Sequence, residues 1–164
     1  MNSKIQALIF DWGNTIMRDF PEQPGPMATW KHVEWIPFAE QVLMELHQKY
    51  ICCIASNASF SDTGLMIEAL KRVGAEKYFK CFFTSLDLGF EKPDLRFFKA
   101  ICDQINIDPC SCVMIGNDYK KDIVGAKNIG MKTVFFNENN EKGNFPDADH
   151  IIYSMQELIS LFRS

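Results

Sequence analysis

Five short apolar runs, each closed by turn-forming or polar residues, constrain this chain more than any other feature. They are Ala7-Leu8-Ile9-Phe10, Tyr50 to Ala55, Cys81-Phe82-Phe83-Thr84, Cys112 to Ile115 and Thr133 to Phe136. Their length and their β-branched, aromatic and cysteine content suit strands apolar on both faces. Between them the period changes. Ala39, Val42, Leu43 and Leu46 recur at helical spacing after Pro37, and Met66, Ala69, Leu70 and Val73 do the same before Gly74. Phe98, Ile101, Cys102 and Ile105 line one face of a further helix, and another is expected from about Lys120 to Asn128. A sixth short strand, Ile151-Ile152-Tyr153, precedes the capping box Ser154-x-x-Glu157 of a last helix. Continuous strands alternating with amphipathic helices predict an α/β fold: a mainly parallel sheet covered on both faces.

At 164 residues the chain is expected to form one domain, 1–164, with one sizeable core. The net charge of -4 argues against a nucleic-acid-binding face. No apolar run has membrane-spanning length, and the first residues lack a signal-peptide pattern, so no membrane partner and a cytoplasmic location are expected. Cys52, Cys53, Cys81, Cys102 and Cys112 fall on core positions, and Cys110-Ser111-Cys112 has no second pair to complete a zinc site. They read as structural thiols. The residues 16–36, with Phe20, Pro21, Pro24, Gly25, Pro26, Trp30 and Trp35, have no clean period and predict a long ordered loop with a short helix near Ala28 to Val33.

Four polar residues follow four of the strands: Asp11, Ser56, Lys92 and Asp118. The carboxyl ends of parallel strands share one rim, so these residues converge. Two carboxylates supply hard oxygens for Mg²⁺. A serine hydroxyl and N–H groups opening a helix cradle a phosphate, and a lysine neutralises its charge. A carboxylate can also attack phosphorus to give an aspartyl-phosphate.

On these residues the chain resembles the haloacid dehalogenase-like hydrolase superfamily, in its phosphatase-type members with little or no cap. Asp11 to Thr15, Ile54-Ala55-Ser56-Asn57, Lys92-Pro93-Asp94 and Ile115-Gly116-Asn117-Asp118 with Asp122 match its four motifs in order. The resemblance implies a Rossmann-like three-layer αβα sandwich of strand order 5-4-1-2-3. It implies Asp11 as nucleophile, Ser56, Asn57 and Lys92 on the phosphoryl group, and Mg²⁺ held by Asp11, the Gly13 carbonyl and Asp118. Asn117 and Asp122 would support the site, Asp122 by orienting it or pairing with Lys92.

Two departures stand out. Gly13 occupies a position where phosphatases of the family commonly carry a second aspartate that protonates the leaving group. Asn117 stands where one accepted spacing has the metal-binding aspartate, whereas another spacing selects Asp118. The residues 16–36 are too few for a cap domain, so the site is expected to be open, suiting a bulky phosphorylated substrate or shielding by a second copy in a homo-oligomer. The expected function is Mg²⁺-dependent hydrolysis of a phosphomonoester through Asp11. The alternative, kept open by Gly13, is a weakly active or inactive phosphate- or metal-binding interaction module.

Overall fold

The computed structural model describes residues 4–163. Six parallel strands form one sheet: β1 (Ala7–Phe10), β2 (Ile51–Ser56), β3 (Cys81–Thr84), β4 (Cys112–Gly116), β5 (Lys132–Phe136) and β6 (His150–Ile152). They lie in the order β3-β2-β1-β4-β5-β6. This is the expected order 5-4-1-2-3 read from the opposite edge, with β6 added outside β5. The central strand β1 pairs with β2 on one side, Ile9 opposite Cys53, and with β4 on the other, Ile9 opposite Met114. The chain therefore departs in two directions from β1, and the carboxyl end of β1 lies at the crevice where such sheets collect ligands.

Alternation along β1 divides the core into two layers. Leu8 and Phe10 pack with α1 (Ala39–Leu46), α2 (Thr63–Lys71) and α6 (Glu157–Leu161). Ala7 and Ile9 face the opposite way, against α4 (Leu95–Ile105) and α5 (Gly125–Asn128). All four β1 side chains are fully buried, as a continuous apolar run in a covered sheet requires. The capping box at α6 is present: the N–H groups of Tyr153 and Ser154 donate to Glu157 Oε1 at 2.8 and 2.9 Å.

Three local features differ from the sequence expectation. A short helix, α3 (Ser85–Leu88), follows β3, with the Thr84 hydroxyl accepting from the Asp87 N–H at its start. The segment after β4 begins as a π-helical turn, Tyr119–Val124, before α5. The expected helix near Ala28 to Val33 is a single 3₁₀ turn, Met27–Thr29. The 16–36 loop is nonetheless tightly packed. Ile16, Met17, Met27, Trp30 and Ile36 are buried, Arg72 Nη1 donates to the Trp30 carbonyl at 2.5 Å, and Trp35 Nε1 donates to the Val73 carbonyl at 3.2 Å. Trp35 thus packs over the fold, away from the site entrance.

All six cysteines are free thiols, and Cys52, Cys53, Cys102 and Cys112 are buried. Burial pushes the Cys52 thiol up to about 12. Among the described residues no helix is long and apolar enough to cross a membrane.

Candidate active site

The carboxyl end of β1 delivers Asp11 to the rim, where it is almost buried. Lys92 arrives from the loop that precedes α4, and its ammonium is enclosed by three acceptors. Nζ donates to Asp11 Oδ1 at 2.7 Å, to Asp122 Oδ1 at 2.7 Å and to the Ala55 carbonyl at 3.0 Å. An ammonium has three protons, so none is left over. Burial opposes its charge, but the flanking Asp11 and Asp122 carboxylates outweigh this and raise its pKa. Asp122 is held above the usual carboxylate range by burial and by the Asp11 charge, with Lys92 opposing. It is fully enclosed, so it serves the site and is no solvated helix carboxylate. Two carboxylates against one ammonium leave this buried cluster one negative charge in excess, an arrangement that favours a cation or a proton nearby.

Two glycines make that cluster possible. A Cβ on Gly116 would overlap the Asp122 carboxylate, and a Cβ on Gly125 would overlap the Phe98 ring. The π-helical turn contributes as well. Asp118 caps it, with Oδ1 accepting from the Lys121 N–H at 3.0 Å, while Asp122 Oδ2 accepts from the Asp118 N–H at 3.0 Å.

Lys92 is held from behind by Asn57. The Asn57 amide brackets the Lys92 backbone, with Nδ2 donating to the Lys92 carbonyl at 2.8 Å and Oδ1 accepting from its N–H at 2.7 Å. Ser56, at the end of β2, is mostly buried and borders a cavity that Trp12 and Gly13, the residues after Asp11, also line. Among the described residues, the N–H groups of Trp12, Gly13 and Asn57 donate to no backbone carbonyl, so they remain available to an anion.

Asn117, rather than Asp118, reaches Asp11. The terminus of its side chain lies 3.0 Å from Asp11 Oδ2, 3.2 Å from the Gly13 carbonyl and 3.2 Å from Thr15 Oγ1. With nitrogen inward, the amide donates to these oxygens. Turned over, its oxygen accepts from Thr15 Oγ1 at 3.2 Å and joins Asp11 Oδ2 and the Gly13 carbonyl in facing one point. One carboxylate and two neutral oxygens suit Mg²⁺, which keeps several waters and needs only one or two protein carboxylates. The set is correspondingly sparse: among the described residues there is no group of three His, Cys, Asp or Glu side chains able to hold a metal. The Asp118 carboxylate is instead turned to its own helix and lies 3.8 Å from Lys121 Nζ.

The haloacid dehalogenase-like hydrolase family matches residues 13–136, well over half of the chain. The chain belongs to the haloacid dehalogenase-like hydrolases. It is 34% identical over 84 residues to glyceraldehyde 3-phosphate phosphatase of Methanothermobacter thermautotrophicus, covering 51% of this chain and 36% of that protein. It is 29% identical over 136 residues to ribulose-1,5-bisphosphate 5-phosphatase of Halopiger xanaduensis, covering 77% and 56%. Human N-acylneuraminate-9-phosphatase is 27% identical over 137 residues, covering 82% and 54%. The chain thus spans roughly a third to just over half the length of these curated relatives. In fold it is similar to a haloacid dehalogenase-type phosphatase from Thermococcus onnurineus, with a TM-score of 0.80 at 19% identity, covering 96% of this chain and 97% of the other. An uncharacterized protein from Listeria monocytogenes serotype 4b is similar at a TM-score of 0.83 and 23% identity, covering 97% of each chain.

The site also involves Thr15, the Asn57 side-chain amide and Asp19, which sequence reasoning did not single out. Thr15 Oγ1 lies 3.3 Å from Asp11 Oδ2, and the Asn57 side chain, not only its N–H, fixes the Lys92 loop. Asp19 borders the cavity above Gly13. Burial raises its pKa, its bond from the Phe20 N–H opposes this, and the Asp11 and Glu22 charges add to the rise. Trp30 lines the same cavity while its Nε1 donates to the Gly25 carbonyl at 3.0 Å.

Proposed function

We propose that this hydrolase is a Mg²⁺-dependent phosphatase that cleaves a phosphomonoester through an aspartyl-phosphate on Asp11. The observation that carries the reading is the Lys92 ammonium locked between Asp11 and Asp122. It fixes Asp11 Oδ1 at 2.7 Å, while Oδ2 accepts from the Thr15 hydroxyl at 3.3 Å. A nucleophile positioned in this way begins its attack with little further loss of orientational freedom.

In this reading the Ser56 hydroxyl and the N–H groups of Trp12, Gly13 and Asn57 receive the phosphoryl oxygens. Lys92 offsets their charge. Mg²⁺ would be held by Asp11 Oδ2, the Gly13 carbonyl and Asn117 Oδ1. When bound, it neutralises phosphate charge and keeps the phosphoryl group against Asp11. Asn117 replaces Asp118 as the third ligand because Asn117 alone of the two meets Asp11 and Gly13. Asp122 acts through Lys92.

The bordering cavity measures about 300 Å³. That is at the lower end for small-molecule sites, which supports a small phosphorylated metabolite over the bulky substrate expected from an open rim. The relatives' names, phosphatases of phosphorylated sugars and sugar acids, support the same class. Asp11→Asn is expected to abolish Mg²⁺-dependent turnover of p-nitrophenyl phosphate while leaving the thermal midpoint close to that of the wild type. Undiminished turnover in that variant would remove the basis of the proposal.

A further inference from the structure

We infer that Asp19, from the loop above the sheet, supplies the proton to the leaving group and then accepts the proton of the attacking water. The inference rests on the reading of Asp11 as the nucleophile. Its basis is the make-up of the cavity. Among the described residues bordering it, which include Gly13, Trp30, Ser56 and Asn57, Asp19 is the only ionisable side chain. The other polar groups near Asp11 cannot take the role. All three Lys92 protons are engaged by Asp11, Asp122 and the Ala55 carbonyl. Asp122 is fully buried behind Lys92. Asn117 and Ser56 do not exchange protons readily at neutral pH.

Placement supports the same assignment. A Cβ built on Gly13 would lie 3.6 Å from Asp19 Cβ and 3.9 Å from Asp19 Cγ, with no other side chain as near. The space over Gly13, two residues beyond Asp11, is therefore bounded by the Asp19 side chain. The backbone that carries it is held in place: the Asp19 N–H donates to Asn14 Oδ1 at 3.0 Å, and the Arg18 N–H donates to the Glu34 carbonyl at 3.0 Å. The Asn14 N–H in turn donates to the Met17 carbonyl at 2.7 Å. These bonds use the backbone of Asp19; its carboxyl takes the Phe20 N–H, and the residue borders the cavity.

The two half-reactions balance. An Asp11 oxygen forms a bond to phosphorus as the bond to the ester oxygen breaks. The electron pair stays on the departing oxygen, which takes the proton from the Asp19 carboxyl to leave as an alcohol. A water oxygen then attacks the phosphorus of the aspartyl-phosphate, giving its proton to the Asp19 carboxylate. The bond to Asp11 breaks with its electron pair returning to Asp11, and phosphate is released.

The test compares wild type, Asp19→Asn and Glu22→Gln, each with Mg²⁺, on an aryl phosphate and an alkyl phosphate. A p-nitrophenolate leaving group needs no proton, whereas an alkoxide does. For Asp19→Asn the expected result is a rapid burst of about one nitrophenolate per enzyme followed by a slow steady rate. Its alkyl phosphate turnover should be slower by about 10²–10⁴-fold, without a burst. Glu22→Gln, altering an exposed neighbouring carboxylate, should match the wild type. Asp19→Asn turnover within about threefold of wild type on both substrates would overturn the assignment. So would equal losses of the aryl burst and the alkyl rate, the result of a merely structural role. A wild type that turns over neither substrate would overturn the phosphatase reading itself, and with it this one.

Discussion

At the scale of single residues, the site turns on which side chains can reach one another. Asp11 and Ser56 are legible because each closes an apolar run, and parallel strands bring such residues to one rim; Lys92 comes only after α3 and joins Asp11 from the loop before α4. Choosing between Asn117 and Asp118 was harder, since adjacent residues after a strand point in different directions and two spacings fit the sequence. In the π-helical turn Asp118 is the cap and Asn117 turns toward Asp11, which supports Asn117 as the ligand. Asn117→Ala is therefore expected to raise the Mg²⁺ concentration for half-maximal activity by about 10–100-fold, the scale for losing a partner in a metal site. Asp118→Ala should leave that concentration nearly unchanged and lower stability by about 1 kcal/mol, as loss of a helix cap does. Metal titrations of activity and urea unfolding of both variants check this, and the opposite pattern would return the ligand role to Asp118. Asp19 had no signal in the sequence. Its place over Gly13 depends on how the 16–36 loop folds back, which neither period nor spacing records.

At the scale of elements, strands were the most legible feature. A continuous apolar run can satisfy both faces of a covered parallel strand and little else of that length. The π-helical turn and α3 were not, because they differ from ordinary helix or loop in hydrogen-bond register and length, not in composition. The loop over the site was legible as ordered through its tryptophans, but its anchor was not. Arg72, beyond the end of α2, donates to the carbonyls of Met27, Ala28 and Trp30 from a single nitrogen, Nη1. Hydrogen bonds from a charged group are worth about 1.5–3 kcal/mol. Arg72→Ala should therefore speed amide exchange across residues 26–36 with no change in β1, read by hydrogen-exchange mass spectrometry. Unaltered protection of that loop would show that apolar packing of Met27 and Trp30 alone holds it.

At the scale of the whole molecule, two core layers pack against opposite faces of one sheet, and cysteines occupy positions in both. Their small apolar bulk suits close packing, and the same burial carries a pH cost. Cys52 has its folded pKa raised to about 12 from an ordinary value of 9.0. A group with a raised folded pKa contributes stability that is present below its unfolded pKa and lost as pH rises toward the folded value. Unfolding by urea at pH 7.5 and at pH 10.5 should show the wild type weakening, and Cys52→Ala should weaken by about 2 kcal/mol less across that interval. Equal weakening of the two proteins would show that Cys52 ionises as readily folded as unfolded.

The central claim is that a phosphoryl group passes through Asp11. Acid quenching during Mg²⁺-dependent turnover of p-nitrophenyl phosphate, followed by peptide mass spectrometry, tests it directly. The expected result is one hydroxylamine-labile phosphoryl group on the peptide containing Asp11, absent from Asp11→Asn. Turnover through a phosphorylated residue other than Asp11, or sustained turnover by Asp11→Asn, would contradict it.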